Sequence, residues 1–134
     1  MAVALGITTA ISDEAQKRDV VKVYRVFGGR AGLTGREDTT TGSYWTTEDP
    51  RQQSTREGAR DRYALPPEWG NGITQVAEGE IEAWNPNITS WGTATSETTP
   101  SGTYGGGAPE ITIRNSTSNV RNLRVSELEY EKNR

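Results

Sequence analysis

Val20-Val21-Lys22-Val23-Tyr24-Arg25-Val26-Phe27, closed by Gly28-Gly29, is the stretch on which the fold turns. Its β-branched and aromatic side chains crowd a helical turn but fit a pleated sheet. The glycine pair then ends the run, so a strand is expected from Val20 to Phe27. On a period of two, Val21, Val23, Arg25 and Phe27 share one face, and Lys22, Tyr24 and Val26 share the other. Arg25 is the discordant residue. A guanidinium among apolar side chains is costly unless its charge is paired. Two readings stand: an edge-strand residue with a solvated head, or a cation held for a partner.

Working outward, Met1–Ile11 lacks a basic leading segment, and Gly6, Thr8 and Thr9 break its apolar run. It reads as a strand or loose arm, not a signal peptide. Ser12–Asp19 suits a short helical turn capped by Ser12 or Asp13. Residues 1–19 thus form a linker or a peripheral arm of a single domain over 1–134. Arg30–Thr41 reads as a polar loop and Ser43–Thr47 as a short aromatic strand or a strand-to-helix entry. Pro50–Tyr63 is expected to hold a helix weakened at Gly58 and ended by Leu65-Pro66-Pro67. Ile73–Trp84 alternates as a strand bent at Gly79. Asn85–Gly107 is rich in Thr, Ser, Gly and Pro. That is too long for an idle connector, so function or mobility is expected there. Ile111–Ile113 and Val120–Tyr130 read as closing strands. The fold class is α+β and β-rich, with a few short helices.

Composition narrows the chemistry. The 134 residues include no cysteine and no histidine. That excludes disulfides, zinc–thiolate sites, Cys nucleophiles, Ser-His-Asp triads and histidine-dependent ribonuclease chemistry. Any catalysis must come from carboxylates, Arg, Lys, Tyr or hydroxyls. Only 31% of residues are hydrophobic, so the core must be small. A net charge of -3 argues against nucleic-acid binding driven by bulk charge. No stretch approaches the ~20 apolar residues of a membrane span.

Two further residues stand out. Trp45 lies between hydroxyls and reads either as core or as a ligand platform. Glu110 follows Gly105-Gly106-Gly107-Ala108-Pro109 and opens the Ile111–Ile113 run, as a turn residue or as a carboxylate facing a ligand. The glycine run lacks the pattern of a phosphate loop. Glu78, Glu80 and Glu82 alternate on one strand face, as solvated charges or, in a weaker metal-dependent nuclease reading, as metal ligands.

Taken in order, these segments resemble a known family. Val23-Tyr24-Arg25-Val26-Phe27-Gly28-Gly29, Trp45-Thr46-Thr47 with Asp49-Pro50, Leu65-Pro66, Thr74–Gly79 and Gly106-Gly107-Ala108-Pro109-Glu110 look like the ordered motifs of ADP-ribosyltransferase toxin domains. These domains are found at the C-termini of Rhs-type and related polymorphic bacterial toxins. Tyr44 stands where that family commonly has serine, with Ser43 one place earlier.

The resemblance implies a split β-sheet core and a site needing neither Cys nor His. NAD would be the substrate, with no metal. Arg25 would meet its phosphates or ribose. Gly28 and Gly29 would let backbone approach the ligand. Tyr44, Trp45 and Thr46 would line the dinucleotide site, the aromatics as a stacking wall. Glu110 would be the catalytic carboxylate, and the loop Ser101–Pro109 would be mobile and recognise the acceptor. It further implies a delivered effector released from a larger secreted polypeptide. That effector would act in a target-cell cytoplasm on a protein or RNA acceptor, such as part of the translation machinery, and be countered by a cognate immunity protein. NAD glycohydrolysis and a non-catalytic β-rich or phage-structural module are the alternatives. The last expects Arg25 and Glu110 far apart or on opposite faces.

Overall fold

The computed structural model describes residues 19–29 and 42–130. The expectations for Met1–Ile11, for the turn over residues 12–18 and for the loop of residues 30–41 lie outside them.

The strand read first is present as expected: β1 spans Val20–Phe27. It pairs antiparallel with β3 (Gln75–Glu82), so that Val23 faces Gly79 and Arg25 faces Ala77. β3 in turn pairs with β8 (Arg121–Glu127), giving a sheet of order β1-β3-β8. A second antiparallel sheet has the order β2-β7-β4. It is built from β2 (Tyr44–Trp45), β7 (Pro109–Ile113) and β4 (Ile88–Thr93). A hairpin of β5 (Glu97–Thr99) and β6 (Gly102–Tyr104) completes the strands. The architecture is small, antiparallel and β-rich, with few short helices, as the patterning implied.

Both faces of β1 are covered. Val23 and Phe27 join Ala77 and Ile81 of β3, Trp45 of β2, and Ile111 and Ile113 of β7 in one apolar cluster. This cluster binds the two sheets together. Tyr24 and Val26 point the other way and meet Ala59, Ile73, Val76 and Leu128. Each fully buried Phe, Ile or Val here contributes about 1.5–3 kcal/mol relative to exposure.

The region of residues 50–63 differs from its expectation. Asp49 caps a single 3-10 turn at Pro50–Gln52, its carboxylate accepting from the Arg51 N–H. The chain then straightens, and the helix α1 begins only at Arg56 and runs to Arg62. Thr55 is the reason. As N-cap it adopts extended angles and its Oγ1 accepts from the Gly58 N–H at 2.9 Å, so Gly58 belongs to the first turn. Gly79 does mark a distortion in β3: the register with β8 shifts between Glu78 and Glu80. A Cβ there would stand 2.4 Å from Val120 Cγ1, which only glycine avoids.

Asn85–Gly107 holds β4, β5 and β6, not an irregular stretch. Threonine fits a sheet, and the Thr98 and Thr103 hydroxyls pair across the hairpin at 3.1 Å. The Asn85 side chain accepts from the Asn87 N–H in the turn that leads from β3 into β4. The closing strand is shorter than expected. A one-turn helix, α2 (Ser116–Asn119), precedes β8, and Leu128 and Tyr130 lie beyond it, packed on the second cluster.

Candidate functional site

Among the described residues one backbone bridge joins the two sheets. Tyr24 and Thr46 form an isolated antiparallel bridge, with backbone bonds of 2.7 and 2.8 Å. Beyond it β1 and β2 separate, and a cavity of about 410 Å³ opens at the split. That size lies within the ordinary range for small-molecule sites. Arg25, Tyr44, Trp45, Thr46 and Glu110, picked out from separate segments of sequence, all line it.

Their environments differ. Glu110 is the second residue of β7, opposite Gly92 of β4. Among the described residues it has no hydrogen-bond or ion-pair partner, and burial alone pushes its carboxyl above the usual value. Arg25 donates from Nη1 to the Tyr44 carbonyl at 2.9 Å, which carries it across the gap between the strands. Its guanidinium lies against Gly42, where a Cβ would stand 2.0 Å from Cζ. Trp45 is 2% exposed, and its Nε1 donates to the Gly42 carbonyl at 2.8 Å. It is a core residue with one edge on the cavity. The accessible aromatic faces are Tyr44, at 61%, and Trp69, at 44%.

Two expected parts of the site have other contacts. Gly28 and Gly29 are absent from the cavity wall. Gly28 has φ +108, and a Cβ on it would meet Thr74 Oγ1 at 2.2 Å. The Gly28 carbonyl accepts from the Gly72 N–H at 2.6 Å, and the Gly29 carbonyl from the Thr74 hydroxyl at 2.9 Å. The close approach these glycines allow is therefore to the chain before β3. The loop ahead of Glu110, expected to be mobile, makes backbone hydrogen bonds through its glycines. The Gly105 N–H donates to the Asp61 carboxylate, the Gly106 N–H to the Asp61 carbonyl and the Gly107 N–H to the Ala94 carbonyl, each at 2.8 Å.

The neighbouring Thr46-Thr47-Glu48-Asp49-Pro50 segment is scaffolding. Glu48 accepts from Arg62 at 2.7 and 3.2 Å, from the Tyr63 hydroxyl at 3.0 Å and from Gln53 at 3.2 Å. The Arg62 hydrogen bond above all holds the Glu48 carboxyl below its usual value. Burial and that same carboxylate push the Tyr63 hydroxyl far up. The alternating glutamates of β3 are engaged as well. Glu78 pairs with Arg51 at 2.6 Å, Glu82 with Arg121 at 2.7 Å, and Glu80 accepts from Asn122 at 3.0 Å. Among the described residues no group of three or more acidic side chains is placed to hold a metal.

Sequence reasoning missed Asn71, Trp69 and Glu97, which also line the cavity. Trp69 closes a 3-10 turn over Pro67–Trp69, which the Pro66-Pro67 pair could have signalled, and Asn71 follows it. Glu97 sits in the Thr-rich stretch and carried no such signal. No protein-family model, curated protein or solved structure matches this chain.

Proposed function

We propose that the protein is an NAD-consuming mono-ADP-ribosyltransferase with its site in the cavity between β1 and β7. One observation carries this reading. The Glu110 carboxylate, without a partner among the described residues, and Arg25, distant in sequence, line the same cavity. The resemblance to ADP-ribosyltransferase toxin domains selects the same two residues. Their shared wall weighs against a non-catalytic module, which expects them apart.

In this reading Arg25 binds the diphosphate of NAD, for which a guanidinium supplies matched donors. Tyr44 and Trp69 offer faces on which a planar ring stacks. The C1′–nitrogen bond breaks with its electron pair leaving on neutral nicotinamide. Positive charge grows at C1′ and on the ring oxygen. Glu110 accepts a hydrogen bond from the ribose 2′-hydroxyl and stabilises that charge. A nucleophile of the acceptor then bonds to C1′, and its proton passes to solvent. The acceptor is a macromolecule, protein or RNA, in a cell into which the domain is delivered, and a cognate immunity protein occludes the cavity.

The test is NAD turnover with and without cell extract. Wild type is expected to consume NAD, and Glu110→Gln and Arg25→Ala to lose on the order of 10²-fold or more in rate. Turnover without extract would assign glycohydrolysis instead. No turnover by wild type, or equal turnover by Glu110→Gln, would overturn the proposal.

A further inference from the structure

The ladder between β1 and β2 stops one step early. Tyr24 and Thr46 exchange both backbone hydrogen bonds. In an antiparallel pair the next such exchange falls two residues along each strand, between Val26 and Tyr44. That exchange is not made. The Tyr44 carbonyl accepts from Arg25 Nη1 at 2.9 Å, and the Val26 carbonyl from Asn71 Nδ2 at 3.0 Å. Two side chains thus occupy the two carbonyls that would otherwise close the strands on each other. The matching N–H groups belong to Val26 and Tyr44, both of which line the cavity.

Asn71 is built for this position. It is 4% exposed, its Oδ1 accepts from the Ile73 N–H at 2.9 Å, and its carbonyl accepts from Arg60 Nη1 at 3.0 Å. Ile73 is held at φ +53, a region a β-branched residue rarely enters. The segment therefore keeps a strained backbone while presenting the Asn71 amide to Val26.

We infer that Asn71 is a positioning residue that keeps the cavity open by withdrawing the Val26 carbonyl from the β1–β2 ladder. Without its amide, the Val26 carbonyl accepts from the Tyr44 N–H and the split narrows, while the Tyr44 carbonyl stays with Arg25. This inference stands on the ladder geometry and does not depend on what the cavity binds; the NAD reading adds a kinetic consequence.

The experiment is residue-resolved amide hydrogen exchange on the full chain, comparing wild type with Asn71→Asp and Asn71→Ala. The aspartate keeps the shape and the acceptor for Ile73 but, ionised, has no donor for Val26. Both variants are expected to slow exchange at Tyr44 by about tenfold or more, the effect of gaining a backbone hydrogen bond. Exchange at Tyr24 and Thr46 stays unchanged. Under the NAD reading, KM rises about as much while kcat is retained, because only the open fraction binds. Unchanged exchange at Tyr44 would overturn the inference. So would general loss of protection along β1 and β3, or failure of both variants to fold, since Asn71 would then be only a stabilising residue. If NAD turnover is absent, the exchange result still decides.

Discussion

Arg25 and Glu110 are charged for different reasons. Arg25 interrupts an apolar face because its head crosses to the Tyr44 carbonyl, and Gly42 leaves room for it. Its discord with Val23 and Phe27 was legible in the period-two pattern. Glu110 was not: beside Pro109 it resembled a turn residue, and only its family-like setting singled it out. Its raised pKa means the charged form is disfavoured in the folded state. The carboxylate therefore opposes folding at neutral pH, and that penalty fades as pH falls. Glu110→Gln is accordingly expected to keep or raise the thermal midpoint at pH 7 while NAD turnover falls on the order of 10²-fold or more. A midpoint several degrees lower would reveal a stabilising partner instead. For wild type, the acid limb of the pH–rate profile should lie above 4.5, the ordinary carboxylate value.

At the scale of elements, β1 and β3 announced themselves through β-branched and aromatic runs, and the helix cap at Thr55 did not. A threonine five residues beyond Pro50 reads equally well as a helical interior position until its Oγ1 is seen on the Gly58 N–H. The strands of the Asn85–Gly107 stretch were hidden for a related reason. Its residues are largely exposed, so no burial imposes an apolar alternation, and cross-strand hydroxyl pairs do the work instead. Gly79 makes a sharper case. Gly79→Ala forces a methyl against Val120 and the Arg121 carbonyl at the bulge. It should cost about 1–3 kcal/mol in urea unfolding, as overpacking does. An unchanged midpoint would mean that β8 moves aside freely.

Across the whole molecule, two sheets share one apolar cluster and part beyond a single bridge. Glu48 ties the chain leaving β2 to the end of α1, and so braces the cavity from outside. Its depressed pKa means the brace contributes stability above the unfolded carboxyl value and loses it as pH falls through the folded one. Wild type should thus show a thermal midpoint that drops on acidification below about 4.5. Glu48→Gln should start lower at pH 7 and fall less over that range. Parallel curves for the two proteins would remove Glu48 from this role.

Sequence alone determined the chemistry available and the principal strands. The absence of Cys and His, and the strand patterns around Val20–Phe27 and Ile73–Trp84, follow from residue identity and local sterics. It also marked Arg25, because a charge in an apolar run is anomalous wherever the run folds. Only the tertiary structure decided that Arg25, Tyr44, Thr46 and Glu110 line one cavity, and that Gly28 and Gly29 do not. Those outcomes depend on where one ladder stops. That stop is set by Asn71 and Arg25 competing with backbone groups for the Val26 and Tyr44 carbonyls, across separations that no local pattern reports.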